Sequence, residues 1–271
     1  RGLSGCTYEH PEINLIKSKT MARQRSIIKL DGTIGGITFY KSKDGYLARE
    51  KGGIPAERIR TDPAFQRTRE NGAEFGRAGK AGKVLRNSIR QLLQNINDSK
   101  MVSRLTKEMV KVIQMDATNP RGQRNVIDGE AELLIGFDFN ANGKLGNTIY
   151  APWTSALDRA TGEAGVTFDP FIPANMIAAP GGTTHFKLTA AAMEIDFENE
   201  SYIAPTGETI IYPWDNTLTA AIDIPLQLTA DSTKPLFLAL GVEFYQEVNS
   251  EKYSLKNGAF NALKLIDVVG L

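Results

Sequence analysis

The sequence predicts an α+β protein in which a β-hairpin and a helical pair precede an antiparallel β-sandwich-like domain. Three observations lead to this prediction. Apolar residues recur at helical spacing between residues 63 and 113, whereas residues 221–228 alternate apolar and polar side chains as a half-buried strand does. Turn residues also become more frequent late in the chain, since eight of its twelve prolines follow residue 125.

The β-hairpin is predicted near the start of the chain. Residues 26–30 and 36–40 have strand composition and are separated by an Asp-Gly turn. Residues 46–49 read as the returning strand, because a Lys-Asp-Gly turn comes immediately before them.

The helical pair follows the hairpin. Pro63 stands directly after a Thr-Asp pair, which is typical of the first position of a helix. The helical pattern continues to about Asn95, is interrupted at residues 97–99, and resumes from Met101. A short break between two amphipathic segments predicts an antiparallel helix hairpin.

The rest of the chain is predicted to be β-structure, since short apolar runs alternate with Gly- and Pro-containing turns. This spacing is typical of an antiparallel sandwich or barrel. The candidate strands are residues 131–139, 184–188, 193–197, 209–212, 220–228, 236–245 and 262–269.

Charge divides the chain in the same way as composition does. Lys and Arg number 32 and Asp and Glu 31, so the net charge is only +1. Residues 21–125, however, hold 22 basic and 10 acidic residues, while residues 126–271 hold 7 basic and 19 acidic residues. We therefore expect a basic module and an acidic β-domain, with the boundary at the turn-prone residues 119–122.

The first twenty residues are expected to be an extension outside the folded unit, because Met21 begins a sequence typical of a translation start. Cys6 ends a tetrapeptide that resembles a lipoprotein cleavage site, but no apolar segment precedes it in this sequence. We expect a cytoplasmic protein, with lipidation of Cys6 as the alternative. No run of 18 apolar residues occurs, so the sequence predicts no membrane-spanning helix.

Basic residues are concentrated on the predicted long helix. Arg is well suited to bidentate contacts with carboxylates and phosphates, so the cluster suggests a binding face. One hypothesis is assembly, with the basic module meeting an acidic surface on another copy or on a protein partner. The second is nucleic-acid binding, and the third is an ordinary solvated helix or a match within one molecule. The face comprises Arg67, Arg69, Arg77, Lys80, Lys83, Arg86 and Arg90.

Four glycines interrupt the same basic segment, at positions 72, 76, 79 and 82. They form neither a phosphate-binding P-loop nor a dinucleotide-binding fingerprint, because no strand precedes them and no Gly-Lys-Ser/Thr ends them. Either the glycines allow another element to approach closely, or the segment orders on binding phosphate.

Two further groups of residues are candidate ligand sites. Trp153 and Trp214, each beside Pro and Tyr, could form a platform that stacks on a sugar or binds a partner, although anchoring a β-sandwich core is the safer interpretation. The series Asp138, Asn140 and Asn142 matches the first half of a calcium loop. Position 12 of that loop is not Glu, and a hairpin turn explains the same residues, so we expect no metal.

Catalytic residues are not evident. Ser155 lacks the motif that surrounds a nucleophilic serine, so only the residue types, and no motif, support a catalytic triad with His185. One cysteine and two histidines also argue against an intrachain disulfide and against Cys- or His-rich metal centres. We expect a protein without a cofactor that is not an enzyme, with a polysaccharide-binding or polysaccharide-acting protein as a further alternative.

Five segments of the chain carry a resemblance to other proteins: residues 28–41, 45–49, 67–76, 235–244 and 255–259. In these segments the sequence resembles a group of uncharacterised proteins encoded widely in Bacteroidota genomes. The resemblance covers most of the chain from Met21 onward and supports the translation start at that residue. It implies no activity and no site residues, so the leading hypothesis remains a non-enzymatic structural or interaction protein.

Overall fold

A computed structural model describes residues 22–25, 27–50 and 53–271. The expected extension, including Cys6, lies outside the described residues. The chain forms two compact units, of which the first ends at Phe65 and the second comprises residues 66–271.

The first unit contains a four-stranded antiparallel sheet with the order β1-β4-β3-β2. Its elements are β1 (Ala22–Arg23), β2 (Gly32–Ile34), β3 (Ile37–Ser42), β4 (Gly45–Glu50), α1 (Ala56–Thr61) and a 3₁₀ turn (Pro63–Phe65). The predicted hairpin is confirmed by the pairing of β3 with β4. Of the strand predicted at residues 26–30, Ser26 lies outside the described residues and residues 27–30 form no strand; β2 begins at Gly32, which pairs with Phe39 instead of forming the turn.

The second unit contains the helical pair and two sheets. Its helices are α2 (Gln66–Ser88), α3 (Arg90–Leu93), α4 (Met101–Gln114) and α5 (Pro173–Met176). Its strands are β5 (Trp153–Leu157), β6 (Glu163–Phe168), β7 (His185–Asp196), β8 (Ser201–Ile203), β9 (Thr206–Glu208), β10 (Tyr212–Pro213), β11 (Ile222–Gln227), β12 (Leu236–Val248), β13 (Glu251–Ser254) and β14 (Ala262–Val269).

The second unit has three layers, with the large antiparallel sheet in the middle. Its central strands β7 and β12 pair along most of their length. Strands β13 and β14 pair with β12, and β8, β9 and β10 pair with β7. Helices α2 and α4 cover one face of this sheet, and the three-stranded sheet β11-β6-β5 covers the other. The α+β class with an antiparallel sandwich-like domain is thereby confirmed.

Strand β7 contributes side chains to both of the layers that cover the large sheet. Ala191, Met193 and Ile195 face the helical layer, whereas Phe186 and Leu188 face the three-stranded sheet. A strand that is buried on both faces has no polar alternation, which is why the sequence indicated two separate strands here. The alanines between those two segments are buried because both layers lie close to the strand.

The helical pair is confirmed, with a break at Ile89 that separates α2 from α3. Leu85 of α2 and Leu105 and Met109 of α4 are completely buried in the same core. A methyl group placed on Gly82 would lie 3.6 Å from the Leu105 side chain, so this glycine does lie against the second helix.

Two predicted strands differ from the structure. Residues Ala131–Leu134 form a 3₁₀ helix, since Ala131 and Leu134 are three residues apart and both enter the helix-side core. The following segment lies beside β14, where the Gly136 amide donates to the Leu265 carbonyl at 2.8 Å, but it forms only an isolated bridge. Residues 209–212 fall mostly between β9 and β10.

The division into compact units does not coincide with the charge boundary at residues 119–122. The helical pair shares one hydrophobic core with β7, β12 and β14, so it belongs to the same unit as the sheets. Strand β14 contributes to both cores of this unit, because Leu263 and Leu265 face the helices while Ala262 faces the sandwich.

Candidate interaction surface

The outward side of α2 and α3 carries the basic residues that have no ionic partner. Lys80, Lys83 and Arg90 are exposed, and none of them forms an ion pair with another described residue. Arg86 is partly buried, and its Nε donates to the Gly82 carbonyl at 3.0 Å. We call Lys80, Lys83, Arg86 and Arg90, together with the open glycines described next, the basic face.

Three of the four α2 glycines lie in open space on the basic face. A methyl group added to Gly72, Gly76 or Gly79 would meet no described atom within 4 Å. These glycines are three or four residues apart and continue to Lys80 and Lys83 at the same spacing, so they form one stripe along the helix. Phe75 is 61% exposed beside this stripe. Close packing therefore accounts for Gly82 but not for the other three.

The remaining residues of the predicted cluster lie elsewhere on the helix. Arg77 is partly buried, and its guanidinium donates to the carbonyls of Gly122 and Arg124 at 2.8 and 3.1 Å. Arg67 is exposed in the first turn of α2, and Arg69 is partly buried. The structure thus separates a structural arginine, Arg77, from the exposed cations farther along.

Another edge of α2 holds the loop that follows α4. Glu74 is buried, and both of its carboxylate oxygens accept hydrogen bonds at 2.8 Å from Arg124. The Gly122 amide donates to the same carboxylate at 2.8 Å. The hydrogen bond from Arg124 is the main reason that the pKa of Glu74 lies below its usual range. Arg121 also approaches Glu70 at 3.7 Å.

A cleft of about 560 Å³ lies between Lys80 of the basic face, with the neighbouring Arg77, and acidic residues of the sheet domain. Arg77 and Lys80 line one wall, and Glu198 and Glu200, in the turn after β7, line the other. Glu198 and Glu200 form no ion pair with any described residue. The charges of the two halves are therefore not neutralised by contact at this point.

A largely buried polar group, which the sequence did not reveal, lies where the end of the helical pair meets the sheet. It consists of Glu243, Tyr245 and Lys187 with their hydrogen-bonding partners. Glu243 is buried and accepts hydrogen bonds from Asn95 Nδ2 at 2.7 Å and from the Tyr245 hydroxyl at 2.6 Å. Lys187 lies 2.8 Å from Glu208 and 3.5 Å from Glu243. The only sequence signal was the presence of Glu243 in an otherwise apolar strand.

Electrostatics argue against a general base or a nucleophile at Lys187 and Tyr245 of this polar group. Burial and the hydrogen bond to Glu243 raise the pKa of Tyr245 to about 12. Burial disfavours the charge of Lys187, but its contacts with Glu208 and Glu243 hold its pKa above the usual range. Both groups therefore stay protonated at neutral pH, and neither is available as a base or a nucleophile.

Ser155 and His185 are not brought together by any hydrogen bond between described residues. Ser155 is exposed on β5, whereas His185 begins β7, where its Nδ1 lies 2.9 Å from the Thr184 hydroxyl. The His185 Nε2 lies 3.4 Å from Glu247.

The two tryptophans are partly buried and pack against the sandwich core. The Trp214 indole N–H donates to the Ile177 carbonyl at 3.0 Å. Trp153 begins β5 and pairs with Phe168 of β6. Their ring systems make no aromatic contact with each other, as far as the structure is described.

The calcium-like series forms a hydrogen-bonded turn. Asp138 Oδ1 accepts from the Leu145 amide at 3.1 Å, and Asn140 Oδ1 accepts from the Asn142 amide at 3.0 Å. Asn140 is completely buried, and its amide group donates to the carbonyls of Ala259 and Asn261. Within the described ranges, no group of three or more His, Cys, Asp or Glu side chains could hold a metal ion.

Comparisons with known proteins give no relative for this chain: no family model, curated protein or solved structure matches it. Among the described residues, no helix combines the length and apolar character that crossing a bilayer requires.

Proposed function

We propose that this chain is a non-enzymatic interaction protein that associates with other copies of itself through complementary charges. In this proposal the basic face docks on an acidic surface of residues 126–271 in a second copy. The observation that carries the proposal is that Lys80, Lys83 and Arg90 are exposed and unpaired beside three glycines that no described residue covers.

The glycines support a close contact between molecules. Each glycine inside a helix costs about 1 kcal/mol relative to alanine, and packing within one copy does not offset that cost at positions 72, 76 and 79. A helix surface without side chains lets another backbone or side chain approach closely. The lysines and arginines around it would attract an acidic partner and orient it.

The acceptor is expected on the β-domain, which carries the opposite charge. Residues 126–271 hold 19 acidic and 7 basic residues. Glu163 of β6 and Asp223 of β11 are exposed on the three-stranded sheet and form no ion pair with described residues. An acidic sheet face of this kind is available to a basic helix.

Sedimentation velocity across a salt series tests the proposal. We expect association at 20 mM NaCl that weakens by at least tenfold at 500 mM, because solvent-exposed charges are screened. The variant Lys80→Glu/Lys83→Glu/Arg90→Glu should remain monomeric. Its matched control, Lys43→Glu/Lys100→Glu/Lys252→Glu, makes the same change in net charge at three exposed lysines outside the basic face and should associate normally.

Two results would contradict self-association. One is a monomer at low salt up to the highest attainable concentration. The other is an equal loss of association in the basic-face variant and in the control, since that would reflect net charge alone.

Nucleic-acid binding is the second candidate, and one observation in the first unit favours it. Tyr46 has Lys41 within 5.7 Å of its ring centroid, and Tyr40 has Arg49 within 5.5 Å. Aromatic rings beside cations are typical of surfaces that bind single-stranded nucleic acid. A mobility-shift titration with generic DNA and RNA decides between the candidates: salt-dependent binding that both Lys41→Glu/Arg49→Glu and the basic-face triple variant weaken would favour nucleic acid.

The carbohydrate alternative has less support. Trp153 and Trp214 both pack against the sandwich core, and the indole N–H of Trp214 is already hydrogen-bonded within the chain.

A further inference from the structure

Two adjoining clefts form a groove on the second unit, away from the basic face. The larger has a volume of about 480 Å³, and the smaller about 160 Å³. Both are lined by Ile135 and Gly136, so these two residues join them. The larger cleft lies beside α4, and the smaller extends toward Trp153 at the start of β5.

The larger cleft combines charged and apolar side chains, whereas the smaller cleft is mainly apolar. Leu133 and Ile135 are 46% and 48% exposed, so both aliphatic side chains are open to a ligand in the larger cleft. The smaller cleft continues this surface to the partly buried Trp153, and the buried Leu145 and Ile149 also line it. An aliphatic chain lying along the groove would remove this apolar surface from water, at about 25 cal/mol for each Å².

Three lysines without ionic partners surround this apolar surface. Lys107 and Lys144 line the larger cleft and Lys264 lines the smaller, and none of them forms an ion pair within the described ranges. Lys144 and Lys264 are two of only seven basic residues in the acidic part of the chain. Their presence at one groove therefore runs against the charge of the surrounding sequence.

The other charged groups of the groove are already engaged. Arg104 lies 2.7 Å from Asp98, donates to the Asp138 carbonyl at 2.8 Å, and stacks on Phe137. Glu108 pairs with Lys111 at 2.6 Å. Asp138 accepts a backbone hydrogen bond but forms no ion pair among the described residues. After these contacts the groove retains an excess of positive charge.

We propose that this groove binds a small anionic amphiphile, that is, a carboxylate attached to an aliphatic chain. The carboxylate would lie between Lys107 and Lys144, and the chain would cross Ile135 toward Trp153. Only a ligand with both parts satisfies the groove, because a purely polar anion would leave the apolar lining in water and a cationic amphiphile would be repelled. The proposal is independent of self-association, since none of these residues belongs to the basic face.

Tryptophan fluorescence tests the proposal with sodium decanoate below its micellar concentration as the probe. The variant Trp214→Phe leaves Trp153 as the single reporter. We expect a saturable change in its emission with decanoate, and no saturable change with acetate or with decyltrimethylammonium. In the same background, Lys107→Ala/Lys144→Ala should weaken decanoate binding at least fivefold, whereas Lys100→Ala/Lys252→Ala should change it less than twofold.

Calorimetric titration of the unsubstituted chain provides a second measurement, because Trp214→Phe removes a core hydrogen bond and could unfold the protein. Absence of saturable heat with decanoate would overturn the proposal. So would equal binding of decanoate and decyltrimethylammonium, or equal effects of the two double-lysine variants.

Discussion

The buried and exposed sides of α2 differ in whether their charged side chains have partners within the chain. Where the helix is covered, Ala78 and Leu85 enter a packed core, and the buried Glu74 carboxylate has its hydrogen bonds satisfied by Arg124 and Gly122. On the exposed side, Lys80, Lys83 and Arg90 form no ion pair with another described residue, and three glycines lie in open space. The comparison separates residues that stabilise the fold of the unit from residues whose side chains make no stabilising contact within it.

The largest expected effect follows from breaking the buried ion pair. Glu74→Ala would leave the Arg124 guanidinium and the Gly122 amide without their acceptor, so we expect the free energy of unfolding to fall by about 3 kcal/mol. The control Lys111→Ala removes an exposed pair on α4 and should cost no more than about 0.5 kcal/mol. Urea denaturation measures both, and similar losses in the two variants would contradict the distinction.

Acidification should reduce the stability that the ion pair between Glu74 and Arg124 contributes. The pKa of Glu74 is lower in the folded chain than its ordinary value of 4.5, so its charge stabilises the fold above that value and the benefit is lost as the pH falls below it. The difference in unfolding free energy between the unsubstituted chain and Glu74→Gln should therefore be constant above about pH 6 and shrink toward pH 3. Denaturation at several pH values measures this difference. A gap that widens on acidification would show that the assignment is wrong.

Substitutions of the glycines on the exposed side of α2 should raise the free energy of unfolding, whereas Glu74→Ala lowers it. Gly76→Ala and Gly79→Ala should each raise the free energy of unfolding by about 0.5–1 kcal/mol, because the added methyl group meets open space and alanine favours the helix. Gly129→Ala is the contrasting variant, since its methyl group would lie 2.5 Å from the Val112 carbonyl, and it should destabilise the unit. Thermal unfolding compares the three. If the basic face docks on another copy, the stabilised glycine variants should also associate less well.

The elements that depend on local signals could be predicted from the sequence. The β3–β4 hairpin has a tight turn ending at Gly45, and the two long helices have apolar residues at helical spacing. Strand β11 alternates buried and exposed residues along its whole length, as the period-2 pattern predicted. In each case the information lies within ten to twenty consecutive residues.

Elements that depend on contacts distant in sequence could not be predicted in this way. Strands β5 and β6 lack a strong apolar run, and β6 is fixed by pairing with β11 about sixty residues later. The 3₁₀ helix at Ala131–Leu134 replaces a predicted strand because the same apolar residues satisfy two different spacings. Sequence reasoning identified basic residues of α2, but it could not separate Arg77 from Lys83, because only the fold shows which of them is hydrogen-bonded.

Strand β14 has a consequence for how the second unit is synthesised. It supplies side chains to both hydrophobic cores and pairs with the central strand β12, yet it follows every other strand and helix of the unit in chain order. The preceding strands and helices therefore leave the ribosome before either core can close, with their apolar faces still uncovered. Folding of the unit is expected to be completed only after translation of its last strand, and the nascent chain is most exposed to aggregation in that interval.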